Sequence, residues 1–146
     1  MTSTPLVNTI DKFKGDYAFL SNFYESPAVY EGVLYPTSEH AYQAAKAVYP
    51  WDRAKILEAR TPGMAKRLGK QVTMRPDWDE VKIEVMRIVL VTKFQHNSEL
   101  RQKLIDTGDA YLEEGNWWGD TFWGVCKGKG QNKLGLLLMQ LRNLYK

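Results

Sequence analysis

Proline, glycine and hydroxyl residues cut this chain into short helical lengths, and that punctuation limits the fold more than any other feature. Pro36 closes one extended stretch, and Thr37 or Ser38 can cap a helix through its hydroxyl. Thr61-Pro62 repeats a cap-then-proline start. Pro76-Asp77 opens a third helix, and Thr107-Gly108 reads as a helix stop. Asn132 is placed to cap the last one. Between these marks the sequence predicts helices from Glu39 past Lys46, from Trp51 to about Arg60, and from Pro62 to Gly69. Further helices are predicted from Trp78 to about His96, from Ser98 to Thr107, and from Asn132 onward.

Apolar spacing assigns their inner faces. Val81, Val85, Ile88 and Val89 form one stripe on the longest helix, with Met86 and Leu90 beside it. Leu134, Leu137, Leu138, Leu141 and Leu144 are the expected core of the last. Extended structure is sparse. Residues 28–35 read as a hairpin around Glu31-Gly32, because glycine accepts the positive φ such turns need. Tyr111-Leu112-Glu113 is a possible strand, and residues 114–131 read as a loop rich in Gly and Trp. The expected class is α+β: a mainly helical single domain, residues 1–146, with a small β-sheet and a loose lead-in over residues 1–10.

Composition narrows the function. The 146 residues suffice for one domain with a real core. No apolar run approaches the roughly 18 residues of a membrane span, so no membrane role is expected. One cysteine, Cys126, excludes an internal disulfide and suits a reducing cytoplasm. With two histidines besides, little material is present for a metal centre, and neither metal nor cofactor is expected. A net charge of +3 suits an anionic substrate but not a protein that coats DNA.

Two groups of residues can carry chemistry. Glu39, Gln43 and Lys46 fall on one helical face, with Ala41, Ala44, Ala45 and Val48 opposite. An acid, an amide and an amine on one rigid element are parts of a catalytic site; the same spacing also describes an ordinary wet face. The second group is Asn116-Trp117-Trp118-Gly119-Asp120-Thr121-Phe122-Trp123-Gly124. Long ordered loops of this composition are often binding loops. Asp120 among rings is either a general acid, since burial raises a carboxyl's pKa, or a turn cap. Two basic groups, Gly128-Lys129-Gly130 through Lys133 and Lys66, Arg67 and Lys70, can hold phosphate or line solvated faces. His40 beside Ala41 reads as a satisfied structural residue, and Cys126 has no base near it in sequence.

The chain resembles the NADAR, or YbiA-like, family from about Phe13 to Leu144. The resemblance rests on Ser21-Asn22-Phe23, Tyr35-Pro36-Thr37-Ser38-Glu39-His40, Tyr42-Gln43, Lys46, Trp78, Lys82, Met86, Lys93-Phe94 and Asn97. It continues through Thr107-Gly108, Asp120, Trp123-Gly124, Asn132, Leu134-Gly135, Leu138-Met139 and Arg142. It implies a YbiA-like fold and an enzyme that hydrolyses N-glycosidic bonds of ribosides or ADP-ribose. It carries over Glu39, Lys46 and Asp120 as catalytic positions. Asn22, Phe23, Gln43, Trp78, Trp118, Trp123, Asn132 and Arg142 follow as substrate-binding positions. The implied partner is ADP-ribosylated nucleic acid or an ADP-ribose-like small molecule, with no obligate protein partner, in the cytoplasm of a bacterium or phage-infected cell. Some members have Trp-Gly-Asp-Gly where this chain has Trp123-Gly124-Val125-Cys126. That departure favours removal of ADP-ribose from guanine over action on phosphoribosylated riboflavin intermediates. A non-catalytic module binding NAD or ADP-ribose is the remaining expectation.

Overall fold

The structure is a computed structural model, and it describes residues 8–146. The chain divides into two compact units, one contiguous from Asn22 to Ser98 and one combining the chain before it with the chain after it.

The contiguous unit begins with a hairpin, β1 (Ala28–Tyr30) and β2 (Val33–Tyr35), paired antiparallel with Val29 opposite Leu34. Glu31 and Gly32 form its two-residue turn, both at positive φ, as the sequence predicts. Four helices follow: α1 (Ser38–Lys46), α2 (Pro50–Leu57), α3 (Pro62–Gly69) and α4 (Trp78–Gln95). Thr37 caps α1 and Thr61 caps α3, each accepting the main-chain N–H three residues on at 3.1 Å. Helix α1 packs against α2, α3 and α4, so it is buried from every side. Its face of Ala41, Ala44 and Ala45 is fully enclosed, which lets neighbouring helices approach closely.

The long helix departs from expectation at one position. Its buried residues are Trp78, Val85, Met86, Val89, Leu90, Lys93 and Phe94, whereas Ile88 is 40% exposed. The stripe is rotated from the predicted one toward Met86 and Leu90, because a line through Val81, Val85 and Ile88 follows only one edge of the buried arc.

The second unit holds a 3₁₀ helix (Gly15–Leu20), α5 (Ser98–Asp106) and α6 (Lys133–Tyr145). Its strands are short. β3 (Thr9–Ile10) runs parallel to β4 (Tyr111–Leu112), and β5 (Gly115–Asn116) runs parallel to β6 (Val125–Cys126). The expected loose lead-in is therefore corrected at its end: Ile10 is buried and its residues pair with β4, while residues 1–7 lie outside the described chain. The segment 114–131 likewise contains the β5–β6 pair rather than loop alone. Leu134, Leu137, Leu138 and Leu141 are core as expected, but Leu144, in the last turn of α6, is 79% exposed. Among the described residues no helix is long and apolar enough to cross a membrane.

Candidate functional site

The contiguous unit brings together Asn22, Glu39, Gln43, Lys46 and Trp78. Asn22 organises the start of α1. Its carbonyl accepts the Glu39 N–H at 3.0 Å, satisfying a donor that the first helical turn leaves without an intrahelical acceptor. Its Oδ1 accepts the Ser38 hydroxyl at 2.9 Å, and its Nδ2 reaches the Met86 sulfur at 3.5 Å. Phe23, next along, is exposed.

One turn into the helix, the Gln43 amide donates to Glu39 Oε2 at 2.7 Å. Both side chains are buried, with 8% of Glu39 and 6% of Gln43 exposed. The helix face that spacing alone could assign to solvent is therefore inside the protein. Gln43 Oε1 is buried without a hydrogen-bond donor among the described residues. Gly69 backs it: a Cβ there would collide with the carboxamide, so only glycine lets α3 come this close to α1.

Lys46 closes the helix and is half-buried. Burial pulls its ammonium below the ordinary lysine range; the Glu39 carboxylate opposes that pull and Lys70 adds to it. An amine with a weakened hold on its proton, near a carboxyl, is suited to nucleophilic attack on a sugar carbon. Trp78 is buried and tilts against Tyr42, with centroids 5.1 Å apart. Its ring is part of the packing beside α1.

His40 is structural, as its sequence context predicts. Its Nδ1 lies 2.8 Å from Thr37 Oγ1 and its Nε2 lies 2.9 Å from the Ala59 carbonyl. A carbonyl only accepts, so Nε2 carries the proton in that bond.

The remaining predicted residues lie in the other unit. Asp120 Oδ1 accepts the main-chain N–H groups of Phe122 at 3.1 Å and Trp123 at 2.9 Å, which is the turn-capping arrangement. Asn116 clasps the same turn, accepting the Asp120 N–H at 3.0 Å and donating to its carbonyl at 2.9 Å. Asp120 Oδ2 takes no protein donor among the described residues. Trp123 stands edge-on to Phe122, and Trp118 is exposed.

Two predicted binding residues spend their polar groups inside the protein. Asn132 sits at the start of α6 at φ 53°, and its side chain does not cap that helix. Instead it accepts the Glu114 N–H at 3.0 Å and donates to the Leu112 carbonyl at 2.9 Å, tying strand β4 to the helix. Arg142 donates to the Ala110 carbonyl at 2.8 Å and to Thr107 Oγ1 at 2.9 Å. Burial lowers its guanidinium pKa, against the pull of Asp109.

Sequence reasoning missed what three residues do. Ser38 orients Asn22 rather than capping α1. Gly69 makes room for the Gln43 carboxamide, and its signal was a glycine inside rather than beyond a helix end. Lys93 is wholly buried, with Nζ 5.9 Å from the centroid of the Tyr24 ring, and burial pushes its ammonium down to about 7. Its position on the inner arc of α4 was the available sign. Among the described residues no cluster of three or more His, Cys, Asp or Glu is placed to hold a metal ion.

Comparison with known proteins identifies the fold and the family. N-glycosidase YbiA of Escherichia coli strain K12 is 41% identical over 130 residues, covering 87% of this chain and 81% of the relative. Riboflavin biosynthesis protein VVA0006 of Vibrio vulnificus is 38% identical over 130 residues, and the match covers 87% of this chain but 35% of that longer protein. The NMR structure of E. coli YbiA superposes with a TM-score of 0.84 at 37% identity, covering 97% of this chain and 87% of that one. The mainly helical fold with small sheets is thus the YbiA fold. The NADAR domain model matches residues 10–145, through both units, so the chain belongs to the NADAR domain family.

Proposed function

We propose that this protein is a hydrolase of N-glycosyl bonds that removes ADP-ribose from ADP-ribosylated guanine. The observation that carries the reading is the buried pair on α1, a Glu39 carboxyl held by Gln43 with Lys46 beyond it. A solvated helix face has no use for an enclosed acid, an amide with a spare acceptor and an amine shifted toward neutrality. The N-glycosidase name of the YbiA relatives supports the reaction class.

Cleavage of an N-glycoside builds positive charge at the sugar C1, which a carboxylate stabilises. Glu39 takes that role or activates the water. Lys46 acts as the nucleophile: its neutral amine attacks C1, the C1–N bond breaks, and guanine leaves with a proton. Ring opening gives a Schiff base, which water hydrolyses to free ADP-ribose and the lysine. The test is borohydride reduction during turnover of an ADP-ribosylated guanine oligonucleotide, with a stable adduct expected at Lys46. No adduct together with an active Lys46→Ala protein removes the covalent route, and an active Glu39→Gln protein removes the site.

A second substrate is favoured by one observation, the riboflavin biosynthesis name of the Vibrio relative. Base release from a phosphoribosylamino-pyrimidine, compared with release from the oligonucleotide, decides between them. Tight ADP-ribose binding without release of any base would instead indicate a binding module.

A further inference from the structure

The unit that combines residues 8–21 with residues 99–146 contains a surface pocket of about 430 Å³, and of the predicted binding positions only Trp118 lines it. Its aromatic wall is Trp117 and Trp118, which meet edge to face at 88° with centroids 5.7 Å apart. Trp117 is 79% exposed. An indole left this open is unusual in a folded domain, because burying it would contribute more than almost any other side chain. Two rings at right angles make a floor and a wall. A flat heterocycle stacked on one presents its edge to the other.

Lys12, Lys14 and Lys127 stand around the same pocket, and none is in an ion pair among the described residues. Asp11 and Glu113 line it as well, so three cations face two carboxylates, a net of +1. A pocket for phosphate alone would not carry carboxylates. A nucleotide strand explains both signs: lysines meet the backbone, and carboxylates meet N–H groups on a base edge. Guanine presents two adjacent N–H donors there, matching the two oxygens of one carboxylate, whereas thymine presents a single N–H flanked by carbonyls, which sets one carboxylate oxygen against a carbonyl. Aromatic stacking beside scattered cations is the usual construction for holding single strands.

We infer that this pocket is a single-strand nucleic-acid site with a preference for guanine, formed by the Trp117–Trp118 corner and by Lys12, Lys14 and Lys127. The inference rests on the reading that the substrate is nucleic acid, and it adds a place where the strand is held. Its test uses unmodified strands and no turnover, so the two readings fail separately.

The intact protein is titrated into a short fluorescein-labelled single strand containing guanine, and into an all-thymine strand, with anisotropy as the readout. The guanine strand binds more tightly. Three lysine–phosphate contacts give a slope of log affinity against log salt near −2, or about a 20-fold loss between roughly 50 and 200 mM salt. Trp117→Ala weakens binding by about fivefold or more. Lys12→Ala and Lys127→Ala each reduce the slope by about 0.7. Arg87→Ala, an equal charge loss at an exposed position of α4, changes nothing. Circular dichroism checks that each variant is folded. Undetectable strand binding overturns the inference, as does binding indifferent to Trp117→Ala or equal affinity for thymine. Binding of free guanosine monophosphate but not of the strand overturns it too. So does self-association abolished by Trp117→Ala, which would assign the pocket to a second copy.

Discussion

Replacing Gly69 by alanine sets two physical effects against each other. Helix propensity favours alanine inside α3 by about 0.5–1 kcal/mol, because glycine loses more backbone freedom on folding. Packing opposes it. The new methyl would occupy the position of the Gln43 carboxamide, with no open space to move into because Gln43 is buried. Overpacking of this kind costs about 1–3 kcal/mol. If Gln43 swings aside instead, the 2.7 Å bond to Glu39 breaks and a buried acceptor loses its donor, at about 1–3 kcal/mol. The two routes are alternatives, so the net loss is roughly 1–2 kcal/mol. For a chain of this size that lowers Tm by about 2–8 °C. Activity falls further than stability, because Gln43 then no longer holds Glu39. Thermal melts and base-release rates are measured for Gly69→Ala, Gln43→Ala and the double variant. Gly69→Ala should cost much less stability in the Gln43→Ala background, since the collision is chiefly with the carboxamide. A Gly69→Ala protein that is more stable and fully active would show that α3 does not set the Gln43 position.

Glu39→Gln should melt within about 0.5 kcal/mol of the parent yet lose base release by orders of magnitude, read by product chromatography. Lys46 has a lowered pKa, so its amine becomes neutral below the ordinary lysine range. The rate should therefore rise with pH until that lowered pKa is passed, and Lys46→Ala should remove the rise. Lys93 gives a stability test. Its folded pKa is near 7 against an ordinary 10.5, so between those values the unfolded chain binds more protons and stability increases with pH. Denaturant melts should show a contribution approaching 1.4 kcal/mol per pH unit, absent in Lys93→Met. On α6, Leu138→Ala should cost about 2–5 kcal/mol, whereas Leu144→Lys should stay within about 0.5 kcal/mol in the same melts.

Local signals carried most of the secondary structure. The Glu31-Gly32 turn, the Thr37 and Thr61 caps and the Pro76-Asp77 start each depend on a few neighbouring residues, so their chemistry is written in order along the chain. The Thr9–Ile10 strand was not legible. Its partner is Tyr111–Leu112, and two residues of pairing leave no periodicity to detect. Leu144 and Ile88 were misread because spacing identifies a stripe but not where a neighbour stops covering it. For the site, spacing put Glu39, Gln43 and Lys46 on one face. Whether that face was wet or enclosed depends on α2, α3 and α4 closing around α1, and no local rule reports this. Asn132 shows the reverse case: the position was right, but its amide serves Leu112 and Glu114 across the chain rather than its own helix.

The pairing of β3 with β4 has a consequence for how the chain is made. Thr9 must find Tyr111, and the whole of the contiguous unit lies between them. On a ribosome adding about 5–20 residues per second, the early segment waits on the order of 5–20 s for its partner to be synthesised. The contiguous unit is completed late in that interval, and throughout it Ile10, Phe13, Phe19 and Leu20 keep apolar surface without the rest of their unit. A chaperone that binds nascent chains would therefore find its target in the segment from Ile10 to Leu20 while the contiguous unit is still being made.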